Sequence, residues 1–116
     1  MLFDPDMRHS ALRRVGETLQ VFYTIVGDCP ERILVATVDL AADWREWRAS
    51  APRVVLEPQR DYEGADCPPV PSVRGPADER VRQLRDPATF EEDGRTYLLY
   101  SVAGERGIAL AEVFDG

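Results

Sequence analysis

Residues 85–101 read Arg-Asp-Pro-Ala-Thr-Phe-Glu-Glu-Asp-Gly-Arg-Thr-Tyr-Leu-Leu-Tyr-Ser. Two runs that contain β-branched and aromatic residues stand on either side of Asp93-Gly94. This dipeptide is typical of a two-residue hairpin turn, because both of its residues tolerate a positive φ. The stretch therefore predicts a β-hairpin followed by one more strand. The strands predicted in this half of the chain cover residues 88–92, 95–102 and 108–114.

The first half of the chain contains segments of the same kind. Residues 19–26 and 32–39 are rich in β-branched and aromatic types and contain no glycine or proline, which favours strands. Residues 27–30, Gly-Asp-Cys-Pro, supply the chemistry of a turn between them. Two shorter strands are predicted over residues 10–15 and 53–57. The sequence thus predicts an all-β protein with four strands in its first half and three in its second.

The two groups of strands resemble each other at a nearly constant spacing. Residues 8–11 (Arg-His-Ser-Ala) match residues 85–88 (Arg-Asp-Pro-Ala), and residues 21–24 (Val-Phe-Tyr-Thr) match residues 98–101 (Leu-Leu-Tyr-Ser). The run that begins at Ile33 then corresponds to the run that begins at Ile108. Repeats of about 40–50 residues made of short antiparallel strands are typical of propeller blades. A small sandwich of duplicated hairpins is the alternative.

The repeat divides the chain into two blades and a connecting segment. We predict one partial propeller domain over residues 1–116, with a four-stranded blade at 8–58 and a three-stranded blade at 85–116. The segment between them, residues 59–84, is rich in proline, which opposes both helix and regular sheet. It is therefore predicted to be a long loop, and loops of this length inside a compact domain are usually functional or disordered.

Composition excludes several classes of protein. The 116 residues carry 21 acidic and 14 basic side chains, a net charge of -7, which argues against nucleic acid as a partner because phosphate binding needs a basic surface. No apolar run is long enough to span a membrane, and residues 1–10 do not resemble a signal peptide. We therefore expect a cytoplasmic protein without a membrane partner, whose Cys29 and Cys67 are free thiols.

The segment at residues 85–101 resembles a blade of the five-bladed β-propellers of glycoside hydrolase family 43. In such a blade an Asp-Pro pair opens the innermost strand, an Asp-Gly or Gly-Asp turn follows, and the next strand ends in Tyr-Ser. Residues 8–24, with Trp44 and Trp47 downstream, resemble the preceding blade. The resemblance implies a two-blade, C-terminal portion of a larger ring, or a shortened relative of such a ring, that acts on or binds carbohydrate.

The same resemblance indicates candidate site residues. In that family two carboxylates face each other across a central funnel and act as general acid and base. Asp86 and Glu63 are the candidate catalytic carboxylates. Substrate contacts are implied for Arg8, His9, Arg85 and Asp66. The alternative for Asp86 and His9 is a structural role, because an aspartate before proline often starts a turn and a lone histidine is often structural.

The resemblance also limits what the isolated chain is expected to do. We expect no cofactor, and the sequence assigns no metal ligand, although the family pattern allows a cation in the funnel. Because the other blades are absent, we predict little or no turnover. A non-catalytic carbohydrate-binding or assembly module is the alternative function. Two blades leave open faces, so we predict self-association or association with the missing blades.

Overall fold

The structure is a computed structural model that describes residues 3, 6–58, 64, 67, 81 and 83–114. Within these residues the protein is all-β, with two antiparallel sheets and one short 3-10 turn at Trp44–Glu46. The first sheet has the strand order β1-β2-β3-β4 and the second has the order β5-β6-β7. The strands are β1 (Met7–Val15), β2 (Thr18–Ile25), β3 (Ile33–Asp39), β4 (Arg53–Leu56), β5 (Arg85–Glu92), β6 (Arg95–Val102) and β7 (Gly107–Val113).

All seven predicted strands are confirmed, but two of them begin three residues earlier than the sequence indicated. Strand β1 begins at Met7 and strand β5 at Arg85, where the predicted strands began at residues 10 and 88. In both cases the pairing with the next strand continues through a β-bulge. A bulge places an extra residue in one strand without ending the ladder, so turn-like residues such as Pro87 are accommodated inside β5.

The two sheets share one register, which confirms the predicted correspondence of their strands. Arg8 lies opposite Thr24 across the first bulge, and Arg85 lies opposite Ser101 across the second. Beyond the bulges, the rows of directly paired residues are Ala11, Phe22 and Val35 in the first sheet and Ala88, Leu99 and Leu110 in the second. The bulges therefore occupy equivalent places in the two repeats.

The hairpin turn predicted at Asp93-Gly94 is also confirmed. Asp93 has φ 52° and Gly94 has φ 76°, and a two-residue turn with positive φ at both positions matches the twist of the strands that it joins. Strands β5 and β6 are consequently paired up to Glu92 and Arg95, which flank the turn.

Each sheet has two faces, which we name by their residues in the first sheet. The forward face carries Ala11, Phe22, Ile33 and Val35, and the rear face carries Val21, Tyr23, Leu34 and Ala36. By the shared register, the forward face of the second sheet carries Ala88, Leu99, Ile108 and Leu110, and its rear face carries Leu98, Tyr100, Ala109 and Ala111.

The main hydrophobic core lies between unlike faces of the two sheets. The forward face of the first sheet packs on the rear face of the second, with Phe22, Ile33, Leu98 and Tyr100 all buried in the same cluster. Side-chain hydrogen bonds border this core, such as the one that Thr89 Oγ1 donates to the Leu12 carbonyl at 2.8 Å. The two sheets thus meet through opposite faces, forward against rear, which is a head-to-tail arrangement.

Part of the middle segment lies close to the second sheet. A Cβ added to Gly64 would lie 2.1 Å from the Val81 carbonyl oxygen and 3.1 Å from the Cα of Ala103. The Val81 amide in turn donates to the Ala103 carbonyl at 3.3 Å. The predictions for residues 59–63, 65–66, 68–80 and 82 lie outside the described residues.

Two further findings concern the cysteines and the membrane-spanning potential of the chain. Cys29 and Cys67 form no disulfide with each other. In the described part of the chain, no helix has the length and apolar character needed to cross a membrane.

Candidate functional site

The two bulges hold residues in an uncommon backbone conformation. His9 has φ 55° and Asp86 has φ 53°. Aspartate and histidine are among the few residue types enriched in this left-handed region, and bulges often redirect a side chain next to a functional site. A positive φ strains the backbone of a residue other than glycine. This strain persists only where the surrounding structure enforces it, and it is concentrated at functional sites. The bulges therefore mark this end of the sheets as a candidate site.

The side chains at the two bulges contact each other. The Nε2 atom of His9 lies 3.2 Å from Oδ1 of Asp86, and Ser101 Oγ donates a hydrogen bond of 3.1 Å to the other oxygen of Asp86, Oδ2. The His9 and Asp86 side chains remain 34% and 43% exposed. The contact thus joins equivalent positions of the two repeats and leaves both groups accessible to a solute.

Beside this pair lies a buried ionic cluster that joins the two sheets. Glu31 has a fully buried side chain and accepts two hydrogen bonds from Arg8, one of them from Nε at 3.0 Å. The Nε atom of Arg85 lies 3.2 Å from Oε1 of the same carboxylate. Arg8 and Arg85 precede the two bulge residues in sequence. One carboxylate therefore holds both bulges in place, and the two-pronged geometry of the arginine suits this role.

Further polar groups complete the cluster. Gln83 accepts hydrogen bonds from two nitrogens of Arg85, and the Nη1 atom of Arg85 lies 3.8 Å from Glu105. The hydrogen bond with Glu31 raises the pKa of Arg8 above its ordinary value against the opposing effect of burial, and the charges of Asp86 and Glu105 raise it further. Arg8 therefore remains a cation at every pH at which the protein would be studied.

This arrangement restricts the chemistry open to the site. In a serine hydrolase the histidine lies between the serine and the aspartate, so that it can accept the serine proton. Here Asp86 lies between Ser101 and His9, so the order of the three groups differs from that of a serine hydrolase triad. Asp86 can accept a hydrogen bond from a hydroxyl group. Glu105 is a second carboxylate whose charge, like that of Asp86, raises the pKa of Arg8.

The structure brings together four of the residues indicated by the sequence. Asp86, His9, Arg8 and Arg85 all meet at one end of the two sheets. Of these, Arg85 is only 2% exposed, so its guanidinium group lies within the cluster. The other two predicted residues, Glu63 and Asp66, lie outside the described residues.

Sequence reasoning missed Glu31, Gln83 and Glu105. The pair of equivalent arginines was a signal that an anion lies nearby, because cations that become buried require one, but it did not select Glu31. No cluster of three or more histidine, cysteine, aspartate or glutamate side chains suited to a metal ion is found in the part of the chain that is described.

The chain is similar in sequence to part of a longer viral protein. The chain is 45% identical over 108 residues to an uncharacterized protein of Acanthamoeba polyphaga mimivirus. The match covers 92% of this chain but only 30% of the viral protein. No family model matches the chain, and no solved structure matches it. The sequence of this region is therefore shared with a protein that extends well beyond it.

Proposed function

We propose that this chain is part of a β-propeller related to the glycoside hydrolase family 43 type, and that it binds carbohydrate at the end of the sheets where His9 meets Asp86. The observation that carries the proposal is the 3.2 Å contact between these two half-exposed side chains at equivalent bulges. In a propeller, equivalent residues of neighbouring blades come close together near the central axis, which is where a funnel would lie.

The packing of unlike faces supports a propeller over a sandwich of duplicated hairpins. Two duplicated sheets related by a two-fold axis would pack through the same face of each. In this protein the forward face of one sheet, with Phe22, meets the rear face of the other, with Leu98. A head-to-tail relationship can be repeated, and repetition with a constant rotation produces a ring.

Carbohydrate is the ligand class that suits the exposed groups. A carboxylate and an imidazole side by side can accept and donate hydrogen bonds to adjacent hydroxyl groups, and Asp86 and His9 offer this pair. The resemblance of residues 85–101 to a glycoside hydrolase blade indicates the same class. Cleavage additionally requires a carboxylate on the opposite side of the scissile bond. We attribute that group to further blades, so the isolated chain is proposed to bind without cleaving.

Isothermal titration of the isolated chain with xylohexaose and with cellohexaose tests binding. We expect saturable binding of one of these oligosaccharides, weakened at least tenfold by Asp86→Asn. Asp93→Asn is the matched control, since it makes the same chemical change at another positive-φ aspartate, outside the site. Absence of saturable binding to either sugar, or equal binding by Asp86→Asn and wild type, would overturn the proposal.

A separate assay tests the absence of turnover. The isolated chain is incubated with chromogenic aryl pentosides and aryl hexosides, and we expect no release of the aryl group above the buffer blank. Release that is abolished by Asp86→Asn and retained by Asp93→Asn would show that this chain alone supplies a complete catalytic pair.

A role as an assembly module is the second candidate function. It is favoured by the exposed apolar side chains on the forward face of the second sheet, among them Ile108 and Leu110. Soluble proteins rarely expose such contiguous surfaces without a partner.

A further inference from the structure

The forward face of the second sheet exposes a group of neighbouring apolar side chains. Leu99 and Leu110 are directly paired across β6 and β7, and Ile108 lies two residues from Leu110 on the same face. Ile108 is 79% exposed and Leu110 is 59% exposed. Phe90 on β5 adds a third large group that is 52% exposed. Burying apolar surface of this kind away from water lowers the free energy of the protein.

The first sheet shows how the same face is covered within this protein. Its forward face, with Phe22 and Ile33, is buried against a rear face that presents Leu98 and Tyr100. Ile33 and Ile108 hold equivalent positions, yet Ile33 is fully buried and Ile108 is not. The forward face thus occurs twice in the structure. In the first sheet it is covered by the rear face of the second sheet, and in the second sheet it is open.

A second copy of this chain is poorly suited to cover the open face. Among the described residues, the matching surface of a copy would be the rear face of its first sheet, with Val21, Tyr23 and Ala36. These side chains are already buried, and the Phe3 ring packs edge-on against Tyr23 with 5.6 Å between centroids. A copy would first have to expose this second core. We therefore look for the covering surface outside the part of the chain that the structure describes.

We propose that the forward face of the second sheet is the docking surface for a third antiparallel sheet of the same repeat. That sheet would present a rear face with aliphatic and tyrosine side chains like Leu98 and Tyr100, and it would belong to the same polypeptide in a longer protein. The viral relative supports this source, because the matched region is only 30% of its length.

A third sheet would also contribute a bulge residue to the end of the sheets where His9 meets Asp86. The step from the first sheet to the second brings His9 against Asp86. Repeating that relationship between successive sheets would bring the bulge residue of the third sheet toward Asp86. The docking surface stands without the carbohydrate proposal, since it rests on the packing of the faces alone, and its test involves no sugar.

The test compares the isolated chain with a chimera in which the chain replaces the matched region of the viral protein. Ile108→Arg and Leu110→Arg are made in both, with Trp44→Arg as the matched control at an exposed apolar residue away from this face. In the isolated chain we expect all three variants to melt within a few degrees of wild type. In the chimera we expect Ile108→Arg and Leu110→Arg to lower the Tm by roughly 5–10 °C, and Trp44→Arg to leave it unchanged.

Two results would overturn the proposal. The first is a chimera in which the three arginine variants melt alike, because the face would then be solvent-exposed in the longer protein. The second is a dimer of the isolated chain in sedimentation velocity that Leu110→Arg abolishes, because a second copy would then be the occupant. If the chimera is insoluble, arginine is introduced into the viral protein itself at the positions aligned with Ile108, Leu110 and Trp44, with the same expected and overturning results.

Discussion

Nε2 of His9 lies 3.2 Å from Oδ1 of Asp86, and these two residues occupy the same position in two successive copies of one structural repeat. Each lies in a β-bulge with a positive φ, and each follows an arginine that is paired with Glu31. The repeat therefore produces a contact between its own equivalent positions. Such contacts are expected near an axis of rotation, where equivalent points of neighbouring units converge.

A double-mutant cycle will measure the coupling between these two side chains. We make His9→Asn and Asp86→Asn singly and together, because asparagine also tolerates a positive φ. A coupling of about 0.2–1 kcal/mol is expected at low salt, since both groups are half exposed and the solvent screens their interaction. Urea unfolding provides the free energies. In the control cycle with Asp93→Asn, the effects should be additive, and additivity for His9 with Asp86 would contradict the contact.

Removing the charge of Glu31 will strongly destabilise the fold. Glu31→Gln removes the buried negative charge that Arg8 and Arg85 share, and breaking a buried ionic cluster in this way costs about 3–5 kcal/mol. The free energy of unfolding is measured by urea denaturation. Glu17→Gln is the matched control, because Glu17 pairs with Arg14 at 3.9 Å on the exposed surface, where such pairs contribute at most about 1 kcal/mol. Equal effects of the two changes would refute the buried role.

The two equivalent isoleucines will respond differently to truncation. Ile33→Ala removes a fully buried side chain from the main core and should cost about 2–5 kcal/mol. Ile108→Ala changes an exposed side chain in the isolated chain and should alter stability by about 0.5 kcal/mol or less. Thermal unfolding monitored by circular dichroism gives the comparison. A large cost for Ile108→Ala would mean that the forward face of the second sheet is already covered.

The close approach of the middle segment can be tested at Gly64. Gly64→Ala combines a positive φ of 87° with a Cβ that would lie 2.1 Å from the Val81 carbonyl oxygen. Gly16→Ala provides a control with a similar positive φ but with no atom within 4 Å of the added Cβ. The control should cost about 1–2 kcal/mol from the backbone alone, and Gly64→Ala should cost clearly more in urea unfolding. Equal costs would exclude the close approach.

Much of the fold can be predicted from local patterns. The strands were recognised because β-branched and aromatic runs such as residues 19–26 alternate with turn chemistry such as Asp93-Gly94. The early starts of β1 and β5 could not be predicted, because bulge residues such as His9 and Asp86 locally resemble a turn. Only the pairing partner shows that the ladder continues past them.

The candidate site was predictable only in part. His9 and Asp86 could be selected because they are equivalent in the repeat and resemble the start of a propeller strand. Glu31 could not be selected, because the turn that contains it differs in length from its counterpart in the second repeat. Thr24 and Ile33 flank a loop that is two residues longer than the loop between Ser101 and Ile108. The comparison of the repeats therefore pairs Glu31 with no equivalent residue.

The sequence alone determined the all-β character of this protein, its turns and its duplication, because these depend on neighbouring residues and on spacing along the chain. Tertiary structure decided which faces meet, which of two equivalent isoleucines is buried, and which carboxylate joins Arg8 to Arg85. These features depend on contacts between residues from different sheets, and the free energy of such contacts comes from burial and charge pairing. No local pattern contains that information, since the partner of each group lies far away in the chain.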